Sequence, residues 1–491
     1  MEPHSHIAHN RGKHMGFYVI PIAPDSYRDG TMYHRWRRGG SDNKYEVKSK
    51  VVMVVALLLF TTLLTAQQTS FKFDFGTAKA VKGYTAVTPD TKFSYQTGYG
   101  FDQGSVVTAV DNGGNTLTSD YITSKKPFYF SVKLPEGNYD VKLLLGDSKG
   151  TSATTVRTEC RRLMLENIRT TKGKITTQTF TVHVKDSLIR DINGNVVSKV
   201  RLKEREVRYL HWDNLLTIEF NDSLPKVCAV EITPNRKATT IFLAGNSTVV
   251  DQDREPWASW GQMIPRFLIP SKVVVANYAE SGEALNSFVS ARRLEKVLSL
   301  MKAGDYLLVE FGHNDQKQKG EGIGPFTSYK KSLQFFISEV RKKGGIPVLV
   351  TSMHRRSFDT AGHINNTLLE YPEAVRQTAK EEKVILIDLN AMSKILYEAW
   401  GEAGSVKAFV HYPANTFPNQ KEALKDNTHF NPYGAYELAS CIVSSIREQK
   451  LPLAKFIRKD VPAFDAANPM AFEKFYWPQS AFVTASKPDG N

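Results

Sequence analysis

Residues 239–250 read TTIFLAGNSTVV. The run Thr239-Thr-Ile-Phe-Leu-Ala244 has the length of a buried strand, and it ends in Gly245-Asn246-Ser247-Thr248, which reads as a turn. Four more apolar runs follow: Val273-Val-Val-Ala276, Tyr306-Leu-Leu-Val-Glu310, Ile346-Pro-Val-Leu-Val350 and Val384-Ile-Leu-Ile-Asp388. The stretches between them predict helices over 257–267, 284–301, 328–343 and 371–382, and a last helix over 432–449. Continuous apolar strands alternating with helices predict an α/β fold, a five-stranded parallel sheet covered on both faces. Its expected extent is 238–460.

Upstream the hydrophobic period changes. Residues 69–235 read as all-β, with alternation in Phe71-Lys-Phe-Asp-Phe75, Phe128-Tyr-Phe-Ser-Val132, Thr179-Phe-Thr-Val-His-Val184 and Leu215-Leu-Thr-Ile-Glu-Phe220. Turn signals such as Asn112-Gly-Gly114, Glu136-Gly-Asn138 and Asn193-Gly194 lie between them, which predicts a β-sandwich. The basic run Pro234-Asn-Arg-Lys237 is the expected linker, and the two parts are expected to fold as separate units. Residues 461–491 lack periodicity and are expected to wrap the surface. No internal repeat is visible.

The uncharged run VVMVVALLLFTTLLTA at 51–66 is shorter than a membrane span needs, follows Lys48 and Lys50, and ends in Ala66. It reads as a secretory signal cut near Ala66–Gln67, for a secreted or periplasmic protein with no stable membrane insertion afterwards. No Cys follows the run to carry a lipid anchor. Residues 1–50, with His4, His6, His9 and His14, read as an unstructured extension rather than a metal site; an uncleaved anchor is the alternative.

The net charge is +14, and nine Lys+Arg against five Asp+Glu in the first fifty residues leave +10 beyond them. Such a balance suits anionic partners. No zinc-finger spacing or basic helix singles out nucleic acid, and no nucleic-acid partner is expected. Three cysteines, Cys160, Cys228 and Cys441, make a poor disulfide framework or metal set. Cys160 could pair with Cys228, or all three could simply be buried. No oligomeric state is assigned.

Active residues of such sheets sit just past the strands' carboxyl ends. There the chain places Gly245-Asn-Ser-Thr248, Asn277-Tyr-Ala-Glu-Ser-Gly282 and Gly312-His-Asn-Asp315, with Asp426-Asn-Thr-His429 just before the last helix. A serine hydroxyl is a weak nucleophile and needs a base, which His429 can be for Ser247. Asp426, three residues away, can hold the imidazole's tautomer. Backbone N–H groups of Ser247 and Gly282 and the Asn314 amide can meet an oxyanion. Val249 rules out the Gly-x-Ser-x-Gly elbow of another hydrolase class.

These four blocks resemble the SGNH (GDSL-like) hydrolase superfamily, in the same order, over roughly residues 239–450. The spacing Asn277…Ala279…Gly282…Ser287 and the short Asp426-x-x-His429 are similar to the rhamnogalacturonan acetylesterase group. The resemblance implies a flavodoxin-like, three-layer fold. It also implies hydrolysis of an acetyl ester on a plant cell-wall polysaccharide, rhamnogalacturonan (pectin) foremost, with no metal and no cofactor. The N-terminal part resembles a galactose-binding-like sandwich. One departure is Gly245-Asn246-Ser247 where the superfamily usually has Gly-Asp-Ser; Asn keeps the shape and loses the charge.

Each block alone has a plain reading: a strand-end turn for Ser247, a helix cap for Asp426, a turn for Gly312–Asp315. Four in order favour the esterase. The competing functions are a lipid or aryl esterase on the same fold, and a catalytically silent carbohydrate-binding protein. Trp257 could stack on sugar or pack the core, as could Trp260. His354, Arg355 and Arg356 follow the fourth strand and could contact an anionic sugar or serve the structure. His411 and His363 read as structural. Gly320-Glu-Gly-Ile-Gly324 is a loop without the strand–turn–helix setting of a phosphate cradle.

Overall fold

The computed structural model describes residues 67–77 and 79–489, so the expected signal at 51–66 and the extension at 1–50 lie outside the described residues. The N-terminal half is built of two large sheets and a small hairpin, Leu188–Arg190 with Val196–Lys199. One orders Ile175–Val184, Gly137–Gly146, Lys226–Pro234, Phe71–Phe75 and Thr85–Val87, with the hairpin Thr108–Asp111/Asp120–Thr123 joined to Lys226–Pro234. The other orders Tyr99–Asp102, Phe128–Lys133, Leu215–Leu224, Ser152–Thr158 and Arg162–Thr170. Alternate side chains of both sheets meet in one core, where Phe75 lies edge-on to Phe130 at 4.9 Å between ring centroids.

The second half has five parallel strands: β1 (Thr239–Gly245), β2 (Val273–Asn277), β3 (Tyr306–Glu310), β4 (Ile346–Val350) and β5 (Ile385–Ile387). Their order is β2-β1-β3-β4-β5. Ile241 and Leu243 point to one face, Phe242 and Ala244 to the other, as the two-residue period of a strand requires. The first face carries α1 (Trp260–Met263), α6 (Leu389–Ser405) and α7 (Pro432–Glu448). The second carries α2 (Leu285–Ser290), α3 (Arg293–Leu300), α4 (Lys330–Lys342) and α5 (Tyr371–Glu382). This is the three-layer flavodoxin-like arrangement. An antiparallel hairpin of β6 (Phe409–Tyr412) and β7 (Leu424–Phe430) precedes α7.

Two expected helices are shorter than their periods suggested. The 257–267 stretch is helical only from Trp260, where Ser259 caps the first turn, and tightens to a 3-10 turn over Ile264–Phe267 around Pro265. The 284–301 stretch breaks at Arg292, which sits in the left-handed region at φ 61°. The tail does more than wrap the surface. Phe464, Met470, Phe475 and Trp477 pack on the α7 core, and Ser480 is buried against Glu219 and Tyr129 of the sandwich. The three cysteines are free and buried. Among the described residues no helix is long and apolar enough to cross a membrane.

The described residues form one compact unit. Leu163 of the sandwich belongs to the core on one face of the parallel sheet, and Val200 and Trp212 to the core on the other. Buried charges cross the same boundary. Arg162 pairs with Asp251 at 2.7 Å, Arg293 pairs with Glu206, and Lys296 pairs with Glu136 at 2.7 Å and Asp186 at 3.0 Å. His183 Nε2 lies 3.0 Å from the Tyr278 hydroxyl, and Lys185 donates to the Asn277 carbonyl at 2.6 Å.

Candidate active site

The strand order decides where the chemistry gathers. Because β1 lies between β2 and β3 and all run parallel, the turns that follow them sit side by side at one end of the sheet. The chain reverses direction across the sheet at β1, the position where open α/β sheets form a crevice. Ser247 is therefore flanked by the 277–282 segment on one side and the 312–315 segment on the other.

Asp426 and His429 come from β7 rather than from a helix cap. His429 Nε2 lies 2.8 Å from Ser247 Oγ, and His429 Nδ1 lies 2.7 Å from Asp426 Oδ2. All three residues are buried. Burial opposes ionisation of Asp426, but hydrogen bonds from the His429 ring and from the backbone N–H groups of His429 and Thr428 outweigh it and hold the carboxyl well below the usual range. With Asp426 accepting from Nδ1–H, Nε2 is free to accept the Ser247 proton. This line of groups can generate an alkoxide-like nucleophile.

The Ser247 turn is braced from beneath. A Cβ at Gly245 would come within 2.5 Å of Val249 Cγ2, so the turn needs glycine there. Asn246 Oδ1 accepts from Thr248 N at 3.1 Å and Thr248 Oγ1 at 2.9 Å, bonds an aspartate oxygen could also accept; its Nδ2 finds no partner. Thr248 Oγ1 also lies 2.9 Å from Glu310 Oε2, so its single proton is shared between Asn246 and Glu310; Trp260 donates to the same Glu310 oxygen, and burial raises the Glu310 pKa to about 7.

Gly282 has φ +82°, the left-handed region where a side chain is strained. Asn277 ties its own segment to the Ser247 loop, donating to Val249 O at 2.7 Å and to Asp251 at 2.9 Å. Asp315 joins the two flanking segments by accepting from Leu285 N and Gly312 N, each at 2.9 Å. Asn314 Nδ2 donates to Glu283 O at 3.0 Å, which spends one amide hydrogen and leaves the other for an oxyanion.

The expected rim residues fare differently. His354 is buried, and burial lowers its pKa to about 4. Arg355 donates to His313 O and to Thr367, while Arg356 donates to Glu402 O and Ser405. Arg356 N also donates to Asn427 O at 2.8 Å, so this residue supports the turn between Asp426 and His429. His411 adds to the same support, its Nε2 lying 2.8 Å from Asn427 Oδ1. His363, read as structural, is exposed and lies 3.6 Å from Glu398. Trp257, at 1% exposed, and Trp260, at 0%, are core residues, which leaves Trp257 only an edge toward the neighbouring cleft. Among the described residues no group of three or more His, Cys, Asp or Glu is arranged to hold a metal ion.

Several contributors had no signal in the sequence. Gln252 Nε2 donates to Ser247 O at 2.7 Å, and Arg161 of the sandwich donates to Gln252 O at 3.1 Å and Trp257 O at 3.0 Å. The sandwich thus holds the backbone that carries Ser247. Lys203 and Arg205, also from the sandwich half, pair with Glu283 at 3.0 Å and Glu280 at 2.6 Å on either side of Gly282. The tail reaches the same place, with Lys487 Nζ 3.7 Å from Asp426 Oδ2.

Residues 243–435 match the family described as GDSL-like lipase/acylhydrolase, and residues 71–196 match the Beta-agarase/YXIM esterase-like, galactose-binding domain-like family. The chain is 44% identical over 220 residues to the rhamnogalacturonan acetylesterase RhgT of Bacillus subtilis, a match covering 44% of this chain and 94% of that protein. It is 26% identical to the uncharacterized esterase YxiM of the same organism, over 81% of this chain and 97% of that one. It is 24% identical to the rhamnogalacturonan acetylesterase of Emericella nidulans, over 44% of this chain and 89% of that protein.

Proposed function

This chain belongs to the GDSL-like lipase/acylhydrolase family and is a carboxylic ester hydrolase, and we propose that it removes acetyl groups from a plant cell-wall polysaccharide, rhamnogalacturonan foremost, through an acyl-enzyme on Ser247. The observation that carries the reading is the hydrogen-bonded line Ser247–His429–Asp426. His429 takes the Ser247 proton as Oγ attacks the acetyl carbonyl. The oxyanion is held by the backbone N–H groups of Ser247 and Gly282 and by the Asn314 amide. His429 then gives its proton to the departing sugar oxygen, and a water repeats the sequence to release acetate. The similarity to two rhamnogalacturonan acetylesterases supports the substrate class, and the charge of +10 beyond residue 50 suits an acidic polymer. Cleavage of a leader after Ala66 would deliver the enzyme outside the cytoplasm, where such polymers occur.

The test is acetate release from a panel of acetylated pectins and xylans, beside acetyl and long-chain esters of a small alcohol. Release from acetylated rhamnogalacturonan above the other polymers is expected, with affinity falling as salt rises. A preference for long-chain esters would overturn the reading. Within the site, Asn314→Ala is expected to lower kcat on the order of 10²–10³-fold with little change in KM, the cost of one oxyanion donor. Steady-state kinetics on a small acetyl ester check this; an unchanged kcat would remove Asn314 from the oxyanion hole.

A further inference from the structure

Beside Gly282 lies a cleft of about 620 Å3, bordered by Lys203, Arg205, Arg208 and Arg254 and, on its far side, by the chain's own tail. Two of these cations are held in place from below. Arg205 directs Nε and Nη2 at Glu280, at 3.2 and 2.6 Å, and Lys203 pairs with Glu283. Both carboxylates are buried and flank the oxyanion-hole glycine. The outward Nη1 of Arg205 remains, and it is paired with the carboxylate of Asp489. A Cβ built on Gly282 would lie 3.1 Å from Asp489 Cβ and 3.3 Å from Lys203 Nζ. A carboxylate therefore already sits beside Gly282, on an arginine that the buried Glu280 preorganises, with Lys203 close by on Glu283.

We propose that Lys203 and Arg205 form a carboxylate subsite that takes a hexuronate ring of the substrate, and that the tail residue Asp489 fills it in the free chain. The proposal rests on the polysaccharide reading above and adds the residues that would recognise an acidic sugar. The volume is within the range of small-ligand clefts. Nε and Nη2 of Arg205 are taken by Glu280 and the Ser281 carbonyl, so Nη1 is the donor it offers a ligand carboxylate, as a charge-assisted hydrogen bond. Asp489 is 59% exposed and Arg205 32%, and an ion pair so open to water holds weakly, so a ligand can displace the tail. The α/β half of the chain could not build this subsite alone, since Lys203 and Arg205 lie upstream of 238.

The experiment uses the full chain and hydrolysis of 4-nitrophenyl acetate, with unacetylated trigalacturonate or a neutral trisaccharide as competitor at matched ionic strength. Trigalacturonate is expected to inhibit competitively, and the neutral sugar not to inhibit at the same concentration. Asp489→Asn is expected to lower the trigalacturonate inhibition constant roughly threefold or more, because a tethered competitor is lost. Arg205→Gln is expected to raise it about tenfold, the loss of one charge-assisted contact. Arg205→Gln also bares Glu280, so Asp489→Asn and Lys203→Gln decide the matter if that variant misfolds. Equal inhibition by the two sugars, or an inhibition constant unmoved by Asp489→Asn, would overturn the proposal. The competitor carries no acetyl group, so a failure of the polysaccharide reading shows separately, as absent acetate release with inhibition intact.

Discussion

Ser247→Ala will lose nearly all ester hydrolysis, on the order of 10⁴–10⁶-fold in kcat. The reason is the absence of a substitute. Among the described residues, Ser247 Oγ is the serine hydroxyl hydrogen-bonded to a histidine ring nitrogen. His429→Ala should be nearly as damaging, because the hydroxyl then has no proton acceptor within reach. The two losses should not add, and the double variant should be little worse than either. Asp426→Asn keeps the shape of the orienting group but removes its charge, and it should cost less than the loss of His429. Turnover of a small acetyl ester, with folding checked by circular dichroism, measures all four variants. A folded Ser247→Ala protein with wild-type turnover would place the nucleophile elsewhere.

Cutting the chain at Lys237 is expected to abolish folding of the downstream part, although period and composition suggest a self-sufficient α/β unit. The cut strips Arg162 from Asp251, Glu206 from Arg293, and Glu136 and Asp186 from Lys296. Asp251, Arg293 and Lys296 are each at most 1% exposed. Each charge must then either be hydrated by water entering the packed end of the sheet or stay buried and unpaired at a cost of about 3–5 kcal/mol, against a typical total stability of about 5–15 kcal/mol. The same cut bares the apolar surface that Leu163, Val200 and Trp212 cover. Arg161 would no longer hold the Gln252 and Trp257 carbonyls behind the nucleophile. Residues 237–491 produced alone should therefore be insoluble or lack a cooperative melting transition, and co-production with residues 67–236 should restore both solubility and activity. A truncated protein that melts near the full-length temperature would show that the boundary contributes little.

Much of this was written locally in the chain. The apolar runs from Thr239 to Asp388 read as strands because a strand buried on both faces must be apolar throughout. The four site blocks were legible because parallel strands bring their carboxyl ends together, so position along the chain translates into position at one end of the sheet. The helix Leu389–Ser405 escaped that reading: it starts directly after β5, and Gly401, in the left-handed region, interrupts its period. The hairpin that carries Asp426 and His429 escaped as well, since its pairing is seen only once both strands are placed.

The sequence by itself determined the sheet, its order of blocks and the residue types that gather at its carboxyl end. Only the tertiary structure decided what surrounds them. Arg205 meets Glu280 across 75 positions and Asp489 across 284. Arg162 meets Asp251 across 89. A charged side chain on a turn looks the same in sequence whether water or a distant carboxylate will neutralise it. The choice is made by which surfaces the folded cores bring into contact, and that contact joins the sandwich, the tail and the carboxyl end of the sheet.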